Sequence, residues 1–302
     1  MRVKVILNPW SDRGRAARLK EQIPLWASEA GGAVDLVLTK RPGHAKLLAR
    51  EAAVAGYDLV AAAGGDGTVH EVVNGLVQGG HANAALGVIP IGSGNDFAFS
   101  QGIPFDPQQA VARLFSGQRH GVDLARIEDE YGRFALFDNN LGIGFDAIVV
   151  IQTESITRVH GFLMYFVAVL RTIAFYYQTP HLTLDFDGEQ VAQQVLFLAM
   201  GLGPRGGGGF FLTPDARHDD DRVDSCTVNP IGRLTMLGML AKAIKGTHVT
   251  SRHVTMRKSQ RIVVQADQPL PIHIDGEIFA YPRDNVRQIT VTSLPQALQV
   301  VV

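Results

Sequence analysis

The sequence predicts an α/β protein with an N-terminal parallel-sheet domain and a second, β-rich antiparallel domain. Two observations carry that expectation. Through about residue 120, short apolar runs alternate with segments whose apolar residues recur at helical spacing. Beyond it, strand-like segments follow one another with only two helical interruptions. The expected division is residues 1–125, 126–290 and a final segment, 291–302.

In chain order, VKVILNP reads as a first strand and residues 13–29 as a helix with Pro24 in its middle. AVDLVLT is a strand of period two. GHAKLLAREAAVAG is helical, with Leu47, Leu48, Ala52 and Val54 as its apolar positions. YDLVAAAGG is a strand running into glycines. From Thr68, the residues Val69, Val72, Val73 and Leu76 recur at helical spacing, and AALGVIPIG is the next strand. In the second part, GVDLARIE, RFALFDNNLGIG, PHLTLDFDG, AQQVLFLAMGLG, DSCTVNPIG, RHVTMRKSQRIVVQAD and RQITVTSL resemble strands. Helices are expected near 160–176 and 232–245. DFDGE and DDD mark turns.

Composition narrows the class. The chain has 302 residues, 46% of them hydrophobic and 19% charged, which suits a large buried core and excludes a disordered chain. Its formal net charge of −1 provides no global attraction for nucleic acid. One cysteine, Cys226, excludes an internal disulfide framework and suits a reducing, cytoplasmic setting. The apolar stretch 161–177 is interrupted by Arg171, so a buried or surface helix is expected there rather than a membrane span.

Two glycine turns concentrate the chemistry. In AAAGGDGTVHEVVNGL, Gly64, Gly65 and Gly67 permit close approach to the main chain, and the helix that follows offers its positive end to an anion. Thr68 suits a cap or a phosphate contact. Asp66 beside a phosphate requires a cation, and Mg²⁺ is the usual one. A tight turn with a solvated aspartate is the alternative. The lysine-bearing phosphate loop and the dinucleotide fingerprint are both absent. In IPIGSGNDF, Gly92, Ser93, Gly94 and Asn95 offer donors to polyphosphate or ribose, and Asp96 adds a second acid. Strands of a parallel sheet deliver both turns to the same edge. Asn8, in NPWSDRGRA, can fix its own turn or reach the nucleotide, and Arg13 and Arg15 suit phosphate or solvent.

The second part carries three acidic stretches. FDNNLGIGFDA gathers Asn139, Asn140 and Asp146 around glycines. TPDARHDDDRVD carries Asp215, Asp219, Asp220, Asp221 and Asp224, which fits either a cation or a solvated loop; its one histidine, His218, makes no zinc site. In IHIDGEIF, a regular strand would put Asp275 and Glu277 on one face. Both are candidate catalytic carboxylates, with Glu277 the base for a substrate hydroxyl, and an exposed hairpin turn is the alternative.

NPWSDRG, GGDGTVHEVVNGL, IPIGSGNDFA, NNLGIGFDA, GGGGFFLTPDARHDDDRVD and IHIDGE together resemble the diacylglycerol kinase catalytic family, its soluble bacterial lipid kinases in particular, with sphingosine and ceramide kinases more distant. The resemblance covers nearly the whole chain. It implies a nucleotide-binding first domain, a β-rich lipid-substrate domain, an active site in the cleft and a C-terminal segment, LPQALQVVV, returning to the first domain. It implies ATP and Mg²⁺ at the GGDGT turn, with Asp96 the acid of the second loop and Glu277 the base. A structural Mg²⁺ would be held by the Asp220 side chain and by main-chain oxygens of Arg217 and Arg222. Two departures stand out: Ser11 is followed by Asp12 and Arg13 where the family has glycine, and Asp221 and Arg222 replace glycine and an apolar residue.

The expected reaction is transfer of the γ-phosphate of ATP to a lipid hydroxyl, diacylglycerol or a related glycerolipid. The expected partners are a lipid substrate, transient peripheral membrane contact and no nucleic acid, and a homodimer is compatible. An NAD kinase-like reaction on a soluble ribose and a non-catalytic nucleotide or lipid sensor are the competing readings.

Overall fold

The structure is a computed structural model that describes residues 1–80, 84–156, 159 and 161–302. The chain divides into two compact units. The first comprises Met1–Val122 and Gln296–Val302, the second Asp123–Pro295.

The first unit begins with β1 (Val3–Leu7), α1 (Leu19–Glu29), β2 (Val34–Leu38), α2 (His44–Val54), β3 (Leu59–Gly64) and α3 (Asp66–Gln78). It continues with β4 (Ala85–Pro90), α4 (Asp96–Ser100) and α5 (Pro107–Ser116). The strands pair in parallel in the order β2-β1-β3-β4, and the chain's last residues join them through Val300 against Leu86. Every residue of β3 and β4 is buried, as strands covered on both faces require.

Two local expectations are corrected here. The helix expected over 13–29 starts only at Leu19, because Asp12, Arg13 and Gly14 take left-handed conformations that interrupt it. Pro24 is accommodated inside α1. In α2 the inward face is Ala45, Ala49, Ala52 and Ala53, whereas Leu47 and Val54 are exposed. The cause is close helix packing. A Cβ on Gly75 of α3 would collide with the Lys46 carbonyl, so only small side chains fit between the two helices.

The second unit takes over within β5 (Arg119–Asp129) and adds β6 (Phe134–Phe137), β7 (Asn140–Gly144), α6 (Phe145–Thr153), α7 (Gly161–Phe175), β8 (His181–Phe186), β9 (Glu189–Gln194) and β10 (Phe197–Gly201). After β11 (Val223–Val228) come α8 (Arg233–Ala243), β12 (Val254–Ser259), β13 (Arg261–Ala266), β14 (Ile272–Ile274), β15 (Glu277–Ala280) and β16 (Gln288–Val301), whose last residues belong to the first unit. One antiparallel sheet runs β12-β11-β10-β7-β14-β15. The start of β16 pairs with β13, which pairs with β8 and then β9. The two layers close over a core that includes Leu141, Leu198, Met200, Leu184, Val264 and Val291. The other face of the six-stranded sheet is buried by Val149 of α6, Val169 and Ile173 of α7 and Met236 of α8, packed on Ala199 and Cys226.

RHVTMRKSQRIVVQAD is two strands, not one. β12 lies in the six-stranded sheet and β13 in the other layer, because the chain changes layer at Gln260, whose N–H donates to the Asp187 carboxylate. FDA, expected at a turn or binding edge, opens α6: Gly144 at φ 73° takes the chain from strand to helix. The helix expected from 160 begins at Gly161; residue 160 lies outside the described residues. Among the described residues no helix is long and apolar enough to cross a membrane.

Candidate active site

In the first unit, β3 and β4 deliver the two glycine turns side by side. A Cβ on Gly92 would stand 2.5 Å from the Gly65 Cα, and one on Gly65 would stand 3.2 Å from the Gly92 Cα. Main chain meets main chain there, and no side chain fits. Gly64 is constrained similarly, since its Cβ would strike the Thr68 side chain.

Asp66 fastens the turns to each other. It opens α3, and its Oδ1 accepts the N–H groups of Asp96 at 2.7 Å and Phe97 at 3.3 Å, the first amides of α4. Gly65, the N-cap of α3, provides no side-chain cap, so the start of this thirteen-residue helix keeps its capacity for an anion. Thr68 is buried, and its hydroxyl oxygen accepts from Asn8 Nδ2 at 3.1 Å. Asn8 Oδ1 in turn accepts from the Trp10 N–H at 3.1 Å. Asn8 therefore fixes its own turn and positions Thr68.

The second turn is partly self-satisfied. Asn95, left-handed at φ 53°, accepts from the Gly92 N–H at 2.9 Å and donates to the Gly92 carbonyl at 3.0 Å. This corrects the expectation that the Gly92 amide and the Asn95 side chain face a ligand. Both are engaged in closing the loop, and Ser93 at its tip is exposed.

Asp66 and Asp96 oppose one another electrostatically. Burial first, then the Asp96 charge, push the Asp66 carboxyl up to about 6, while the amides of Phe97, Asp96 and Asn95 oppose the shift. A divalent cation relieves that conflict, so the donor set fits Mg²⁺.

In the second unit, Asp275 and Gly276 form the two-residue turn of the β14–β15 hairpin, both with positive φ, and Ile274 pairs with Glu277. The two carboxylates are therefore not successive residues of one strand face. Asp275 is buried and accepts from the N–H groups of Asp138 at 3.0 Å, Asn139 at 3.0 Å and Asn140 at 2.8 Å. Expected as catalytic, it is an anchor for the 138–140 segment, with both oxygens occupied. Glu277, the next carboxylate, is exposed.

Comparison with known proteins agrees with this architecture. The family model described as the diacylglycerol kinase catalytic domain matches residues 2–127, and the model described as the YegS C-terminal NAD kinase beta sandwich-like domain matches residues 139–302. A probable lipid kinase YegS-like of Chromohalobacter salexigens is 33% identical over 253 residues, covering 82% of this chain and 79% of the relative. The chain belongs to the diacylglycerol kinase catalytic family. Within that family, the diacylglycerol kinase of Bacillus subtilis is 28% identical over 278 residues, covering 91% of this chain and 89% of the relative. A putative diacylglycerol kinase from Bacillus anthracis has the same fold, with a TM-score of 0.80 at 22% identity over 99% of this chain and 96% of that one. Family membership makes the protein a phosphotransferase.

In the loop expected to hold a structural Mg²⁺, a lysine occupies the acid. Asp220 Oδ2 accepts from Lys258 Nζ at 2.8 Å, and its Oδ1 accepts from the Arg222 N–H at 3.2 Å. The same ammonium lies 3.3 Å from Asp224 Oδ2 and donates to the Asp215 carbonyl at 3.2 Å. Lys258 on β12 is the direct cross-strand partner of Asp224 on β11, so the sheet register delivers the charge. The guanidinium groups of Arg217 and Arg222 pair with Asp219 and Asp187, while the role expected of these two residues is that of their main-chain oxygens. These residues do not fit a structural Mg²⁺, because a divalent ion on Asp220 would face the ammonium already bound to it.

Asp123, Tyr165 and His273 were not singled out from sequence, and they contact residues that were. His218, considered only as a zinc ligand, has its Nε2 2.8 Å from the Asp138 carbonyl, while its own carbonyl accepts from the Asp123 N–H. Asp123 Oδ2 accepts from the Asp221 N–H at 2.8 Å, completing a link from the hairpin to the acidic loop. Asp146 accepts from the Tyr165 hydroxyl at 3.0 Å and lies 2.9 Å from His273 Nε2. Alternation in IHIDGE places His273 opposite in face to its isoleucine neighbours, the one signal in the sequence that could have found it. Tyr165 and Asp146 stand at the wall of an apolar cavity lined by Phe145, Val169, Leu196 and Met239. Cys226 is buried in the same apolar cluster as Val169 and Leu196, and burial pushes its thiol up to about 12, so no thiolate chemistry arises there.

Proposed function

We propose that the protein transfers the γ-phosphate of ATP to the hydroxyl of a lipid, with diacylglycerol or a related glycerolipid as the acceptor. The observation that carries the nucleotide assignment is the Gly65–Gly92 contact, which joins two turns at the uncapped start of α3. Gly64, Gly65, Gly67 and Thr68 would cradle the phosphates, with Ser93, Gly94 and Asp96 bordering them and Asn8 and Asn95 holding the loops in shape. Asp66 would face Mg²⁺, which when bound neutralises phosphate charge. Glu277 would accept the proton of the lipid hydroxyl as its oxygen bonds to the γ-phosphorus and the bond to the leaving ADP oxygen breaks.

The apolar cavity of the second unit supports a lipid over a soluble ribose, because its lining offers an acyl chain apolar contact. We infer a cytoplasmic enzyme that meets its substrate by transient peripheral contact with the membrane. A homodimer is not required by this chemistry. The test is radiolabelled phosphate transfer from ATP to dispersed short-chain diacylglycerol, with NAD in parallel. Glu277→Gln should abolish lipid phosphorylation while leaving nucleotide binding intact. Phosphorylation of NAD in place of lipid would overturn the substrate class, and unchanged turnover in Glu277→Gln would remove the base.

A further inference from the structure

The hairpin that carries Glu277 is irregular at one point. Strands β14 and β15 pair Ile272 with Ala280 but His273 with Ile278, so Phe279 is an extra residue on β15, just beyond Glu277. A bulge of this kind bends and twists its strand, and so decides where the neighbouring side chains aim. The twist must be pinned if Glu277 is to hold one position.

His273 stands at the register shift and is buried, with its Nε2 2.9 Å from Asp146 Oδ2 in the first turn of α6. A carboxylate accepts, so Nε2 carries the hydrogen. Asp146 Oδ1 accepts from the Tyr165 hydroxyl of α7 at 3.0 Å, and both carboxylate oxygens are thus engaged inside the protein. Directly across from His273 on β7 is Gly142, where a Cβ would collide with Asp146 Oδ2 and His273 Nε2 alike. The sheet therefore leaves a slot for this contact, and α6 packs on both strands of the hairpin. Burying the contact is unfavourable. Apolar residues such as Val149, Leu196 and Ala199 build this face of the sheet, and His273 Nδ1 is buried without a partner among the described residues. An apolar side chain would fill the same place at a lower free-energy cost, so stability alone does not account for the imidazole.

We propose that His273 is a positioning residue: through Asp146, itself oriented by Tyr165, it fixes the twist of the bulged hairpin and so the placing of the Glu277 carboxylate. This deepens, and rests on, the reading of Glu277 as the base. None of the three side chains exchanges a proton with the substrate; they hold the group that does.

Steady-state kinetics with ATP and dispersed short-chain diacylglycerol, run beside urea unfolding, test this. His273→Leu should lower kcat about a hundredfold and leave the KM for ATP unchanged. His273→Gln, whose amide can still donate to Asp146, should recover about tenfold of that loss. Tyr165→Phe removes a single hydroxyl and should lower kcat about fivefold. In the His273→Leu background the same substitution should cost less than about twofold, because the hydroxyl acts only through Asp146 and His273. Unchanged kcat in His273→Leu overturns the proposal, as does a Tyr165→Phe loss that persists in full in the double variant. If His273→Leu does not fold, unchanged kcat in both His273→Gln and Tyr165→Phe overturns it equally. A loss of stability in urea without a loss of kcat would make the pair structural support and also end the proposal. The reading beneath it is separable. Unchanged turnover in Glu277→Gln removes the base itself, whereas turnover lost in Glu277→Gln but kept in His273→Leu removes only the positioning.

Discussion

Asp66 and Asp275 occupy similar positions in different units. Each stands beside a glycine in a turn, and each uses its carboxylate to hold main-chain amides of another segment: Asp96 and Phe97 for Asp66, residues 138–140 for Asp275. They differ in what remains. Three amides occupy both oxygens of Asp275. Asp66 faces Asp96, and burial and that like charge push it up to about 6. The same local motif thus engages both carboxylate oxygens with amides in one unit and leaves the carboxylate in conflict with a like charge in the other. Substitutions at Asp275 should register chiefly in stability, and those at Asp66 chiefly in activity.

The largest effect should come from removing the fastening. Asp275→Ala leaves three amides without their carboxylate, and should cost about 3–5 kcal/mol in urea unfolding. Asp275→Asn keeps an acceptor and should cost about half as much. If Asp275→Asn instead keeps full stability and loses all turnover, Asp275 belongs with the reacting groups and the contrast fails. Asp66→Asn should show the opposite split, losing turnover by about a hundredfold or more while remaining folded. Its Oδ1 can still hold α4, whereas Asp66→Ala cannot.

The raised pKa sharpens that contrast. A carboxyl whose folded pKa lies above its unfolded value is destabilising when ionised. The native state gains stability as pH falls through about 6 and loses it as pH rises through the same range. Nucleotide-free Asp66→Asn should therefore be more stable than wild type at pH 8, by about 3 kcal/mol at most, with the difference vanishing near pH 4. Catalysis should move the other way. If the ionised carboxylate faces the cation, wild-type kcat/KM should fall about tenfold per unit below pH 6. A flat profile through that range would show that Asp66 does not titrate in the working enzyme.

Much of this was legible in the sequence because periodicity reports on burial. Strands β3 and β4, α3 and the two glycine turns follow directly from apolar spacing and from Gly64, Gly65 and Gly92. Other features depend on what lies opposite in space. The alanine face of α2 is dictated by Gly75 on another helix. The split of β12 from β13 depends on a carboxylate 73 residues earlier, Asp187. Asn95 looks like a ligand donor until Gly92 is seen to occupy it. Lys258 is one lysine in a basic strand, and only the β11–β12 register sets it against Asp224.

At the paired glycine turns, Gly92→Ala should exert a moderate effect. Its Cβ has nowhere to go but into the Gly65 backbone, so the two turns must part. The expected result is a loss of about 1–3 kcal/mol and a KM for ATP raised about tenfold, with residual turnover preserved. An unchanged KM would mean that the turns need not touch for the nucleotide to bind.

The smallest effect belongs to the acidic loop, where the cation is already part of the chain. Lys258 is partly exposed, so its pair with Asp220 adds little, but Asp224 is 3% exposed and depends on it. Burial pushes Asp224 up to about 6 even with the ammonium beside it, so its ionised form is a cost above that pH. Lys258→Met should therefore lose about 1 kcal/mol at pH 8 and less at pH 5, where Asp224 takes up a proton. The decisive comparison is magnesium without nucleotide. Wild-type melting should be indifferent to Mg²⁺ and to EDTA, because the ammonium holds Asp220. Lys258→Met should melt higher with Mg²⁺ than with EDTA, because the vacated carboxylates and the Asp215 carbonyl then offer oxygen ligands. Stabilisation of the wild type by Mg²⁺, lost in Asp220→Asn, would show that the loop binds a metal despite its lysine.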